Sequence, residues 1–524
     1  MPNASRARST RALPVVALLA AAGLLLGGCI APMEQSTPSE APTQDVPPTE
    51  GPDITDATGW TLDEFYAQQI PWEDCGGADC ALIQAPLDWD DPAAGAIELS
   101  IKRVPATGSD AQRIGSMLTN PGGPGGSGLD FVDYVADSVV GDEVRASYDI
   151  IGFDPRGVGE STPVTCGDDE VIDAYFTTDL PFESQADVEA AREVAREFGE
   201  ACLAETGPLL GKVDTVSAAR DMDLMRALLG DEKLYYLGYS YGTFLGATYA
   251  DLYPENVGRL VLDGALDPSM SNDDLVIGQA IGFENAMRAY VEDCQASSGC
   301  PLVGSVDAGM AQMLELTERA EADPIPAGGD EVNGTLAMYG IIVTLYDDAS
   351  WPYLTMALDE AINDGSATIL LELANFYLDR TADGHYTTNS MQAFSAINCL
   401  DYPMVVREYD EIVAFAEEVD QVAPTVGRDF AMAIGCESWP FEATGTRAPI
   451  TAPGAPPILV VGTTGDPATP YDWSVALADQ LESGGLLTWE GEGHTAYGRG
   501  GPCVSDAVET YLLTGELPPE GTTC

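Results

Sequence analysis

Histidine is almost missing from this chain: 2 of the 524 residues are histidine, His385 and His494. Chemistry that depends on an imidazole therefore has only two places to occur. Basic side chains are scarce as well, with 22 Lys and Arg against 85 Asp and Glu and a formal net charge of −63. So negative a surface repels nucleic acid and anionic headgroups, which excludes both as electrostatic partners, and it favours solubility. After the N-terminal segment no apolar run reaches the length of a membrane helix. There is no Cys-x-x-Cys pair and no histidine cluster, so neither a metal centre nor another cofactor is expected. What remains is chemistry built from side chains alone.

The N-terminus is the strongly apolar part. Arg6, Arg8 and Arg11 precede an apolar stretch from Ala12 to Leu26, and Leu26-Gly27-Gly28-Cys29 sets small residues before a cysteine. This is the pattern of an export signal over 1–28, resembling the lipobox of bacterial lipoproteins, in which Cys29 is lipidated and becomes the first mature residue. The alternative is an ordinary secretory leader. The expected location is extracytoplasmic, held to the cell membrane through a lipid anchor only, or else secreted. Residues 29–58 are rich in Pro, Thr, Ser and Glu and are expected to form a disordered tether. Removing the leader removes three arginines and leaves the mature chain more acidic still. Setting Cys29 aside, the 11 cysteines leave an even number in a compartment where disulfides persist. They fall in near pairs, and bridges are expected for Cys75 with Cys80, Cys166 with Cys202, Cys294 with Cys300, Cys399 with Cys436 and Cys503 with Cys524.

Gly238-Tyr239-Ser240-Tyr241-Gly242 follows the strand-like Leu234-Tyr235-Tyr236-Leu237 and precedes a helix-like run from Thr243 to Ala250. Strand, tight turn and helix are the context of a nucleophile elbow, in which small flanking residues let the chain turn sharply and present the serine. A serine hydroxyl needs a base to take its proton, and His494, in Gly491-Glu492-Gly493-His494-Thr495 after a β-like run, suits that role. The base needs an acid to fix its tautomer. Asp466 follows the apolar Ile458-Leu459-Val460-Val461-Gly462, and Asp263, at the end of Leu260-Val261-Leu262, competes with it; Asp466 is favoured because it sits on a loop nearer the histidine. The resulting order Ser, Asp, His is that of α/β-hydrolases. The glycine loop after Met117-Leu118-Thr119-Asn120 supplies a fourth element. The oxyanion hole is assigned to the backbone N–H groups of Tyr241 and Gly123. His385 lies in a polar turn with no strand before it and reads as surface.

Short apolar runs alternate with helical stretches such as Val216–Leu229, which predicts a mostly parallel central sheet covered on both faces. The serine, acid, histidine and glycine loop all follow strands, where ligands bind in such sheets. From about Ser269 to Pro453 the pattern is helical, with amphipathic stretches near 274–296, 308–322, 353–364 and 405–418. The expected organisation is an α/β-hydrolase core over 59–268 and 454–524, with a large helical cap, 269–453, inserted after the sixth main strand.

The chain resembles the actinobacterial tripeptidyl aminopeptidase family of α/β-hydrolases, relatives of proline iminopeptidases, over nearly all its mature length. The resemblance rests on Ala85-Pro86-Leu87-Asp88-Trp89, Asn120-Pro121-Gly122-Gly123-Pro124-Gly125, Gly152 to Gly159, Gly238 to Thr243 and, in the cap, Ala396 to Asp401. It implies a serine exopeptidase that takes peptides with free N-termini and releases short peptides, tripeptides above all, through an acyl-enzyme. The lipobox looks more like that of envelope-anchored relatives described as proteases or carboxylesterases, so a carboxylesterase or lipase with the same triad stays open, as does a non-catalytic surface binding protein. An exopeptidase must pair the substrate ammonium with a carboxylate; Glu437 and Asp401, close to Cys436 and Cys399, are the candidates. Asp154 and Arg156 are expected to brace loops rather than touch substrate.

Overall fold

The computed structural model describes residues 59–524 apart from Pro181 and Ala433; the leader, Cys29 and the tether lie outside the described residues. The strands are β1 (Glu73–Asp74), β2 (Asp79–Pro86), β3 (Ala96–Val104), β4 (Gly115–Asn120), β5 (Tyr148–Phe153), β6 (Leu234–Tyr239), β7 (Val257–Asp263), β8 (Ile325–Ala327), β9 (Asp330–Val332), β10 (Ile458–Gly465) and β11 (Gly484–Glu492). Nine form one sheet in the order β1-β2-β3-β5-β4-β6-β7-β10-β11, and β8 pairs with β9. Every pair from β5 to β11 is parallel, and β1, β2 and β3 extend the sheet antiparallel.

The sequence of the central strands accounts for their place. All six residues of β4 and of β5 are buried, as expected of parallel strands covered on both faces. Successive side chains feed opposite layers. Leu118, Ile151, Tyr236, Leu260 and Val460 join one apolar cluster, while their neighbours Met117, Ile150, Leu237, Val261 and Leu459 join the other. From β4 the chain passes to β5 on one side and then to β6 on the other. The crevice at this reversal, outside the strands' carboxyl ends, is where open α/β sheets bind ligands.

Among the elements that escaped the sequence reading, two are long. β2 pairs with β3 along its whole length, yet its inward face is Ala81, Ile83 and Ala85 while Leu82 is exposed, which blurs the hydrophobic alternation that would betray it. The second is the helix Gln185–Thr206, which arises between β5 and β6 and joins the cap. Its Val188 and Ala191 pack with Ile412 and Ile434 in one apolar cluster.

Between β7 and β10 the chain is helical, apart from the β8–β9 hairpin. The helices include Asn272–Ala296, Val306–Ala322, Gly334–Leu345, Thr368–Tyr377, Ser390–Asp401 and Tyr409–Asp420. The insertion follows the sixth main strand when the two-residue β1 is set aside. Bridges join Cys75 to Cys80, Cys166 to Cys202, Cys294 to Cys300, Cys399 to Cys436 and Cys503 to Cys524. Among the described residues no helix is long and apolar enough to cross a membrane.

Asp154 and Arg156 brace the core. Arg156 is fully buried, bonds Asp221 through Nε and Nη2 at 2.7 and 2.6 Å, and donates to the carbonyls of Pro86, Leu87 and Lys212. Trp89 Nε1 donates to the same Asp221, so this ion pair joins the two segments that flank it in the fold. Asp154 accepts from Ser127 Oγ, which caps the helix Gly128–Tyr134, and from the N–H of Glu160.

Candidate active site

Ser240 stands at the carboxyl end of β6, one residue before the helix Tyr241–Leu252, with φ 55° and ψ −124°. Positive φ is strained for serine, so the turn needs support. The N–H of Ser240 donates to the Asp263 carbonyl at 2.9 Å, and the Ser240 carbonyl accepts from Thr243 N–H at 2.8 Å and Thr243 Oγ1 at 2.6 Å. The flanking glycines are required by space. A Cβ on Gly238 would lie 2.5 Å from the Gly242 carbonyl oxygen, and one on Gly242 would lie 2.8 Å from Asn120 Oδ1.

His494 and Asp466 follow β11 and β10. Nδ1 of His494 is 2.9 Å from each Asp466 oxygen, and both side chains are nearly inaccessible. The carboxylate is itself held: Oδ1 accepts from the N–H groups of Ala468 and Thr469, Oδ2 from Thr469 Oγ1 and Thr495 N–H. An acid facing Nδ1 assigns the proton to that nitrogen and leaves Nε2 as the basic one. Nε2 is buried without a hydrogen-bond partner. The competing acid, Asp263, does not reach the imidazole nitrogens; its oxygens accept from the N–H groups of Ala496 and Tyr497 instead.

The glycine loop after β4 closes against the elbow. A Cβ on Gly122 would sit 2.6 Å from the Tyr239 carbonyl oxygen, 2.8 Å from Ser240 Cβ and 3.2 Å from the Tyr241 nitrogen. Gly122 and Gly123 have φ of 97° and 107°, values at home only in glycine. The loop thus brings its backbone beside Tyr241, whose N–H opens a helix and has no acceptor within it. Such an arrangement can stabilise an oxyanion formed at Ser240.

The cap reaches the same crevice. The carbonyl of Tyr346 accepts from His494 N–H at 2.8 Å, and the Tyr346 ring meets the imidazole edge-on with centroids 5.5 Å apart. Arg499, 7% exposed, donates to the carbonyls of His494 and Thr495 and to the carboxylates of Asp347 and Asp348. On the other side, a Cβ on Gly125 would lie 2.3 Å from the Ser390 carbonyl oxygen. Tyr346, Asp347 and Arg499 had no local motif to reveal them.

The two cap carboxylates proposed for the substrate amine both have partners within the protein. Glu437 is bonded to Arg192 Nε at 2.7 Å with its side chain 4% exposed, so its charge is already paired. Asp401 is buried and accepts from the N–H and Oγ1 of Thr215 at 2.9 and 2.6 Å; Thr215 Oγ1 also bonds the hydroxyl of Tyr241. Asp401 thereby ties the cap helix Ser390–Asp401 to the core behind the nucleophile. Burial pushes its carboxyl up to about 7. His385 lies on the surface against Asp169, away from the strand ends.

A nucleophile elbow, a buried His–Asp pair and a glycine loop at the carboxyl ends of a mostly parallel sheet define a serine hydrolase of the α/β-hydrolase fold. Comparison with known proteins narrows the class. A family model described as TAP-like protein matches residues 423–524. The chain is 35% identical to the serine protease Hip1 of Mycobacterium tuberculosis over 99% of both chains. It is 37% identical to carboxylesterase B of that organism over 98% of this chain and 99% of the other. The tripeptidyl aminopeptidase of Streptomyces lividans is 34% identical over 87% of this chain and 86% of its own. The chain belongs to this TAP-like family and is a serine hydrolase, which removes the reading as a non-catalytic surface protein.

Proposed function

We propose that the protein is a serine exopeptidase that releases short peptides, tripeptides above all, from free N-termini. Ser240 attacks the scissile carbonyl; His494 Nε2 takes its proton and returns it to the departing amine; Asp466 holds the imidazole and stabilises the imidazolium. The N–H groups of Tyr241 and Gly123 receive the oxyanion, and water then releases the acyl group from Ser240. The observation that carries the exopeptidase reading is the roof: Tyr346 against His494 and Ser390 against Gly125 close the cap onto both sides of the site. A crevice roofed so closely favours a chain end over a polypeptide passing through. The relative named as a tripeptidyl aminopeptidase points the same way.

A second reading, a carboxylesterase with the same triad, is favoured by the relative of that name. A pair of substrates separates the two. A free-amine tripeptide anilide is expected to be cleaved at least roughly a hundredfold better in kcat/KM than its N-acetylated twin. Equal cleavage of the two, or turnover of acyl esters alone, would favour the esterase. A fluorophosphonate probe should label the wild type and not Ser240→Ala, and persistent labelling of the variant would remove Ser240 from the mechanism. We further propose that the enzyme works outside the cytoplasm, anchored through lipidated Cys29: it should partition with membranes, and Cys29→Ser should appear in the medium. Equal release of both forms would leave a simple secretory leader.

A further inference from the structure

Asp263 is a buried acid that the proposed reaction leaves unused. It ends β7 with no exposed surface, and no lysine or arginine pairs with it among the described residues. The titratable groups around it are His494, Asp466 and, from β6, Tyr239. Burial pushes its carboxyl up to about 7. Such a site is costly for a carboxylate unless its hydrogen bonds do something a neutral residue could not.

Those bonds converge on the histidine loop. Ala496 N–H lies 3.0 and 3.1 Å from the two Asp263 oxygens, and Tyr497 N–H lies 2.6 Å from Oδ2. Thr495 N–H is held at 3.2 Å by Asp466 Oδ2. Three successive amides after His494 therefore point into two carboxylates. The loop needs such a hold, because Thr495 has φ 66°, a region a β-branched residue avoids. The main chain of Asp263 acts on the other partner: its carbonyl accepts from Ser240 N–H at 2.9 Å. The next residue, Gly264, lies so close to the imidazole that a Cβ there would be 3.2 Å from His494 Cε1.

We propose that Asp263 is a positioning residue for this serine hydrolase: its carboxylate clamps the strained His494 loop while its carbonyl fixes the Ser240 turn, so that one strand end sets base against nucleophile. An asparagine would not substitute, since amide donors face both oxygens and the NH2 group would oppose one of them. The inference rests on the roles proposed for Ser240 and His494.

The test uses the full enzyme on a small ester, with rates expressed per fluorophosphonate-titrated site so that unfolded protein does not count. Asp263→Asn is expected to lower kcat at least about tenfold while KM stays within about twofold. Thr495→Gly, which accepts positive φ without strain, should recover part of the lost kcat in the Asp263→Asn background. An unchanged kcat, a loss carried by KM rather than kcat, or no recovery in the double variant would each overturn the proposal. Full activity of Ser240→Ala, measured alongside, would instead overturn the roles on which it rests.

Discussion

His494 Nδ1 lies equally far, 2.9 Å, from both oxygens of Asp466, while four further donors from Ala468, Thr469 and Thr495 fix that carboxylate in place. The imidazole is thus oriented by an acid that cannot rotate away. Asp466→Asn keeps the shape but places an amide NH2 within reach of Nδ1, favouring the wrong tautomer. Turnover is expected to fall on the order of 10⁴-fold, measured as kcat on a chromogenic ester. A loss below roughly tenfold would show that Asp466 does not orient the base.

Arg499 connects that histidine to the cap. It donates to the carbonyls of His494 and Thr495 on one side and to Asp347 and Asp348 on the other. Asp347→Asn is expected to weaken this clasp without touching any residue of the triad. The predicted outcome is a drop of several-fold to about a hundredfold in kcat, the cost of a displaced base, with slower hydrolysis of small esters as well as of peptides. If ester turnover is unchanged and only peptide KM rises, the cap contributes binding alone.

Glu437→Gln separates charge pairing from substrate recognition. The side chain is nearly buried and salt-bridged to Arg192, which also donates to the carbonyl of Arg407. Arg192 keeps its second partner, Glu189, at 2.9 Å, so a stability loss of about 1 kcal/mol is expected in denaturant unfolding. The ratio of free to acetylated peptide cleavage should stay as in the wild type. A collapse of that ratio with unaltered stability would return Glu437 to the substrate.

The groups proposed to carry the reaction were legible because each one announces itself locally. Gly238, Gly242 and Gly122 are demanded by contacts within a few residues of a strand end, and a chain with two histidines leaves little choice of base. Partnerships set by the fold were not legible. Nothing near Glu437 in the sequence points to Arg192, and nothing near Asp401 points to Thr215. Asp263 was weighed as the triad acid because it ends a strand-like run; only the path of the loop after His494 shows that it meets amides instead. The helix Gln185–Thr206 was missed for a similar reason, since its apolar stripe is completed by Ile412 and Ile434 from a distant part of the chain.

Asp263 and Asp401, both buried in the core and pushed up to about 7, give the protein an unusual response to pH. In the unfolded chain an aspartate titrates near 3.9, so between about pH 4 and pH 7 the folded state binds more protons than the unfolded one. Stability therefore rises as pH falls through this window and is lost as pH rises through the folded value. His385, raised by Asp169, acts in the same direction. So does the net charge of −63, whose self-repulsion weakens as carboxylates are neutralised. Carboxylates held low by partners, such as Asp223 beside Arg226, oppose the trend only below the unfolded value near 4. Calorimetric Tm is accordingly expected to increase from pH 8 to pH 5. In Asp401→Asn the slope should flatten, because the buried group no longer ionises. A Tm that falls over this range, or a slope unchanged by the substitution, would show that Asp401 does not titrate as its burial requires.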